Sequence, residues 1–203
     1  MSNALWIAAA CGAVLVGMVY LRQRRARRQF LKATAIVRLT NELWEVVNAV
    51  PPGHLSTPLR EAVTLVFTRC AEVLNVTPLA VYGATLAERA ARVQQLPRLS
   101  APQLYEGASE RFVRLAELLD RAHEQQFLPK RQHALARVAA GLSAELSDID
   151  GLCVQAERAL TLKSVDEALS IRSQALRACN RLPTQTAQEV RRRIEARLPL
   201  ADR

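Results

Sequence analysis

Apolar residues in this chain recur every three or four positions along most of its length, which is the period of an α-helix. Ile36, Leu39, Leu43, Val46 and Val47 fall on one face of a helix predicted over about Ala33–Ala49. Pro51-Pro52-Gly53 stops it. Leu59, Val63, Val66, Cys70, Val73 and Leu74 make the stripe of a second helix over Pro58–Leu74, and a third is predicted over Pro78–Gln95, ending at Leu96-Pro97. Thr57-Pro58 and Thr77-Pro78 read as two copies of one start signal. A threonine can cap a free helical N–H, and proline suits the first helical position because it has no N–H to leave unbonded. No segment shows the apolar–polar alternation of a strand.

Two longer helices follow. Ser100 is the expected cap of a helix over Pro102–Phe127, with a seam of Leu104, Ala108, Phe112, Leu115, Leu119 and Ala122. Pro129 turns the chain into a helix over Lys130–Leu162, carrying Leu135, Val138, Leu142, Leu146, Ile149, Cys153, Ala156 and Leu160. Steps of three and four are heptad spacing, the pattern by which helices pack on helices. Gly141 and Gly151 mark a place for a bend. Ser164 with Glu167 reads as a capping box opening a helix to about Arg181, and Thr186 with Glu189 opens a last one to about Leu198. The short connections predict an all-α antiparallel helical bundle with coiled-coil-like seams. The candidate interaction seam is Phe112, Leu115, Leu119, Leu135, Val138, Leu142, Leu146 and Ile149.

Ahead of these helices, Ala4 to Leu21 is an uncharged run of 18 residues. As a helix it would be about 27 Å long, near the thickness of a bilayer's hydrocarbon core. Only Met1, Ser2 and Asn3 precede it, while Arg22, Arg24, Arg25, Arg27 and Arg28 follow. Arginines beside a short apolar span stay on the cytoplasmic side, so the expected topology is a single-pass anchor with the N-terminus outside. A bacterial inner membrane fits that arrangement, with the main domain in the cytoplasm. Trp6 and Tyr20 lie near opposite ends of the run, where amphipathic rings favour the interface. A cleaved signal peptide would carry its positive charges before the apolar core, and here they come after it. Ala8/Gly12 and Ala13/Gly17, each four apart, would let two such helices approach closely.

Charge sharpens this reading. The formal net charge is +9, which alone suggests nucleic acid. Yet residues 1–32 carry six basic side chains and no acid, whereas residues 33–183 hold 17 basic and 16 acidic residues. The excess is therefore mainly juxtamembrane, where it can also attract anionic lipid headgroups. Residues 184–203 add five arginines against three acids. The expected organisation is an anchor (1–21), a basic segment (22–32), a helical bundle (33–183) and a basic C-terminal helix and tail (184–203). Half of the residues are hydrophobic, which excludes wholesale disorder.

Candidate chemistry is sparse. Asp120-x-x-His123 resembles half of a di-metal carboxylate site, but no matching pair occurs elsewhere. His123-Glu124 lacks the second histidine of a zinc-protease motif, since Phe127 and Leu128 follow. Asp148-x-Asp150-Gly151 lacks the distal glutamate of a calcium loop. There is no phosphate-cradling glycine loop and no nucleophile elbow. Cys70, Cys153 and Cys179 sit at apolar helical positions, as buried reduced thiols would, and Cys11 lies in the anchor. No cofactor, metal or small-molecule ligand is predicted, nor an enzymatic activity. The expected function is a membrane-anchored scaffold that presents its bundle to a protein partner or to itself. The alternatives are a nucleic-acid tether using the terminal arginines, including Arg191-Arg192-Arg193, and an enzyme without a recognisable site.

Overall fold

The computed structural model describes the backbone of residues 2–50, 53–97 and 108–199, with side chains from Met18 onward. These residues form seven α-helices: α1 (Ser2–Ala49), α2 (Thr57–Asn75), α3 (Ala80–Gln95), α4 (Ser109–Glu124), α5 (Lys130–Thr161), α6 (Val165–Ala178) and α7 (Thr184–Arg197). A 3-10 turn, Cys179–Arg181, joins the last two. No strand occurs among the described residues, so the chain is all-α.

α1 is one continuous helix of 48 residues, about 72 Å at the standard rise. It runs through the arginine cluster without a break, because arginine is a good helix former and nothing from Ser2 to Ala49 interrupts the backbone bonding. Its character changes at Ala33. Residues 18–32 are exposed on every side of the helix, whereas Ala33, Ile36, Leu39, Leu43, Val47 and Val50 are buried at heptad-like steps. Among the described residues no helix is long and apolar enough to cross a membrane. The side chains of residues 4–17 of the predicted span, including Trp6, Cys11 and the small-residue pairs, lie outside those described. The structure thus supports the continuous helix and lends no support to the span itself.

α1 packs antiparallel to α4. Glu42 pairs with Arg114 at 2.9 Å and Arg121 at 2.5 Å on α4, and with Arg38 one turn back at 3.1 Å. Further along α1, Arg111 donates to the Ala49 carbonyl and so serves one of the acceptors orphaned at the helix end. Arg89 of α3 donates to Asn41 at 2.8 Å and lies 5.4 Å above the Trp44 ring, which meets Phe67 of α2 edge-on at 6.1 Å. α2 and α3 approach closely at Gly83, where an added Cβ would lie 3.1 Å from the Ala71 carbonyl oxygen.

Two cores result. The first is built from α1 beyond residue 32, α2, α3, α4 and the start of α5. The second comes from the remainder of α5 with α6, the 3-10 turn and α7, where Val190, Ile194 and Leu198 are buried. α5 is common to both. It runs unbroken through Gly141 and Gly151.

Several predicted boundaries need correction. α4 starts at Ser109, with Ala108 preceding it outside the helix, because the Ala108 N–H is bonded to Ser147 Oγ at 2.9 Å. The predicted cap Ser100, the start at Pro102 and seam residue Leu104 lie outside the described residues, as do Pro51 and Pro52. The two Thr-Pro signals are not equivalent. Thr57 is already helical and Ser56 is the cap position, whereas Thr77 shapes a turn, donating to the Leu74 carbonyl at 2.7 Å and accepting from Leu79 N–H at 3.2 Å. Ser164 precedes α6, but its side chain makes no capping bond, and α7 starts at Thr184 rather than Thr186. Propensity locates the starts of α2, α6 and α7 to within a turn, and packing then chooses the residue, whereas α4 starts about two turns beyond the predicted Pro102.

The hydrogen bond from Arg121 is the strongest influence on Glu42 and holds its carboxyl below the usual glutamate range, with burial opposing and Arg38 adding to the effect. A depressed carboxylate stabilises the fold above its unfolded-state pKa and loses that contribution as pH falls through its folded value. Stability of the full chain should therefore decline on acidification below about pH 4.5. Glu42→Gln should start less stable at neutral pH and show a shallower acid limb in urea unfolding followed by circular dichroism. An unchanged acid limb would mean that the α1–α4 contact does not depend on this charge.

Candidate functional site

The predicted seam runs along two helices as one surface, and the structure divides it. On α4, Phe112, Leu115 and Leu119 are buried in the first core. On α5, Leu146 and Ile149 are buried in the second core and Leu142 packs partly against it. Leu135 and Val138 are in neither, at 53% and 73% exposed.

Helical geometry explains the split. At 100° per residue, Leu135, Val138, Leu142, Leu146, Ile149, Cys153, Ala156 and Leu160 form a single stripe down α5. α6 and α7 cover that stripe from Leu142 onward, through Ala175, Cys179, Leu182, Val190, Ile194 and Leu198. The first core occupies the other side of α5, where Ala136, Ala140 and Ala144 are buried. Alanines four apart present almost no side chain, so α4 can approach with Phe112, Leu115 and Leu119 supplying the bulk. Reading the largest apolar residues as the core-facing ones therefore inverts the first part of α5. Its exposed leucine and valine belong to the outer face, and its unremarkable alanines to the core.

Charges frame the open stretch. Arg131 is exposed on the same side of α5. Glu145 meets Arg181 of the 3-10 turn at 3.8 Å, which marks where cover by the second core ends. α7 is fixed to α5 by Arg197, which pairs with Asp150 and Glu157, each at 2.5 Å. The Glu157 bond first, and then Asp150, raise the Arg197 pKa above its ordinary value.

The histidines show a feature that sequence spacing misses. Asp120 and His123 on α4 are completed by His133 from α5, across the hairpin. His133 Nε2 donates to Asp120 Oδ1 at 2.6 Å, and Arg137 donates to Oδ2 at 2.5 Å. The two imidazoles stack with centroids 4.3 Å apart and planes 10° from parallel. His123 Nδ1 donates to the Leu128 carbonyl at 2.7 Å, which ties it to the turn containing Gln126 at φ 66°. Face-to-face rings direct their nitrogens past each other. Among the described residues no group of three His, Cys, Asp or Glu side chains is placed to hold a metal ion. The cluster fastens the α4–α5 turn. A signal for it exists, since residues 120, 123 and 133 flank one proline-marked turn, but only antiparallel pairing brings position 133 opposite 120.

Asp148 and Asp150 lie inside α5, with Asp148 exposed and Asp150 buried against Arg197, so they form no loop. Cys70, Cys153 and Cys179 are free and buried, as their positions predict. Burial pushes the Cys70 thiol up to about 12 and Cys153 up to about 11, leaving almost no nucleophilic thiolate at neutral pH. A cavity of about 100 Å³ lies between α1 and α3, lined by Trp44, Val47, Asn48 and Arg92 among others. That is well below the roughly 300 Å³ at which small-molecule sites begin. No protein-family model, curated protein or solved structure matches the chain.

The two halves of the stripe should respond differently to substitution. Val138→Glu should leave thermal stability within about 0.5 kcal/mol of the parent, as an exposed position does. Ile149→Ala should cost about 2–5 kcal/mol. Equal losses at both positions would show that Val138 is covered within the protein itself.

Proposed function

We propose that the chain is a membrane-anchored helical interaction protein that presents the open N-terminal part of α5 to a protein partner or to a second copy of itself. The observation that carries this reading is the half-covered stripe. The same apolar row that α6 and α7 seal from Leu142 onward continues uncovered toward the start of α5 through Val138 and Leu135. A row of this spacing is suited to receiving another helix.

The anchoring half of the proposal rests on the sequence. Ala4 to Leu21 is uncharged, and five arginines follow within seven positions, from Arg22 to Arg28. Insertion with those arginines on the cytoplasmic side would place the N-terminus outside and the bundle inside. Continuity of α1 gives the arrangement a mechanical consequence. The exposed stretch through residue 32 would act as a rigid stalk, because the helix that enters the bilayer would be the one buried in the first core from Ala33. The exposed arginines could rest among anionic headgroups. The body itself favours a protein over nucleic acid as partner. Several C-terminal arginines are engaged within the fold, Arg191 with Asn180, Arg193 with Glu189 and Arg197 with Asp150 and Glu157.

A photo-crosslinking residue placed at Val138 in cells should capture a discrete protein or a second copy, while one at Ile149 should not. A reporter fused to the C-terminus should be active only in its cytoplasmic form. Capture from neither position, together with a strictly monomeric solubilised protein, would overturn the interaction reading. A C-terminal reporter active only outside would overturn the orientation.

A further inference from the structure

We propose that the open stretch of α5 pairs with the same stretch of a second copy of the chain, antiparallel, about a two-fold axis at Val138. This rests on the interaction reading, of which it names the partner, and does not depend on the anchor.

The stripe is the same from either end except for the sign of its charges. At 100° per residue, Arg131, Leu135, Val138, Leu142 and Glu145 fall within about 80° of one another around α5. Val138 is the midpoint, with Arg131 and Glu145 two turns away on either side and Leu135 and Leu142 one turn away. Turned end for end about Val138, the stripe sets Arg131 against the second copy's Glu145, Leu135 against the second copy's Leu142, and Val138 against its own equivalent. Every apolar layer is then filled at heptad-like steps, and both charged pairs are opposite in sign. A parallel pairing would set Arg131 against Arg131 and Glu145 against Glu145. Juxtaposed like charges are costly, so charge selects the antiparallel arrangement.

These side chains are open to a partner. Leu135 and Val138 are more than half exposed, Arg131 is exposed, and Leu142 is only partly covered by the second core. Glu145 keeps 36% of its side chain exposed, and its contact with Arg181, at 3.8 Å, is longer than a hydrogen bond. Arg137 is turned away to Asp120 on the α4 side. Four turns of helix against four make a small interface, which suits a weak, concentration-dependent pair. The contact uses one patch on both copies, so it closes at two. α5 runs in the same direction as α1, because α4 is antiparallel to each. Arg111 reaches Ala49 and Arg121 reaches Glu42, while Ala108 meets Ser147 and Asp120 meets His133. The two-fold therefore sends the projecting parts of α1 toward opposite ends of the pair. With the anchor inserted, it joins copies held on facing membrane surfaces.

The test is sedimentation equilibrium of the purified full chain in detergent over a range of concentrations. A reversible monomer–dimer equilibrium is expected. Val138→Glu brings two carboxylates together on the axis and should abolish the dimer. Arg131→Glu and Glu145→Arg should each weaken it roughly five- to twentyfold, because each turns two attractive pairs repulsive. The double variant should restore it. Direction is tested by disulfide formation in a Cys11→Ser background. Val138→Cys should link to itself, and Arg131→Cys should link to Glu145→Cys in a mixture of the two variants. Arg131→Cys should not link to itself, since the two copies of residue 131 would lie about 21 Å apart along the pair. Arg131→Cys linking to itself, or single reversals that the double variant fails to rescue, would overturn the pairing. A chain that stays monomeric while a photo-crosslinker at Val138 captures another protein in cells would overturn it too and leave the interaction reading standing. A monomer that captures nothing would end both.

Discussion

Everything in this fold is arranged around α5 having two apolar faces. A helix with one stripe lies on the surface of a core, but α5 lies between two. Ala136, Ala140 and Ala144 serve the first core, and Leu146, Ile149, Cys153 and Ala156 serve the second. The alanine face allows α4 close, and the larger residues need the volume that α6 and α7 enclose. Because both cores share one rigid rod, the position of α7 relative to α1 is set through α5 rather than through direct contact between the terminal helices. Arg197, bound to Asp150 and Glu157, locks the outer layer onto that rod.

α1 has a comparable division along its length. Beyond residue 32 it contributes a regular buried row, and before that point its described side chains are exposed all round. Glu42 carries the electrostatic part of its attachment, since three arginines from two helices meet on one carboxylate. Surface pairs taken singly are worth little. A shared carboxylate is different in that it fixes the register of α1 on α4, with the Arg111–Ala49 bond holding the far end of the same contact. Any force reaching the body through the projecting part of α1 would be transmitted across this node.

Polar groups inside the bundle fall into two kinds. Ser147, which receives the Ala108 amide, and Asp150, which receives Arg197, are buried with partners that explain them. Arg60 is buried too, and its described partners are the backbone carbonyls of Leu55 and Pro97. The first kind joins elements distant in sequence and makes their packing specific. The second clasps the start of α2 to the chain just beyond α3.

The helices beyond Ala33, the proline-marked turns and the identity of the buried cysteines follow from the sequence, because periodicity, backbone restriction and the preference of thiols for apolar positions act locally; that the first of them continues back through the arginines to Ser2 is seen only in the structure. The span of α5 was legible almost to the residue for the same reason. Which face of it turned inward was not. Leu135 and Ile149 sit on one stripe with indistinguishable local patterns, and only the reach of α6 and α7 leaves the first exposed and buries the second. The same limit hid Asp120 with His133, and Arg60 with Pro97, pairs whose members come from different elements. Spacing along one helix fixes what shares a face; what that face meets is settled only when the helices pack.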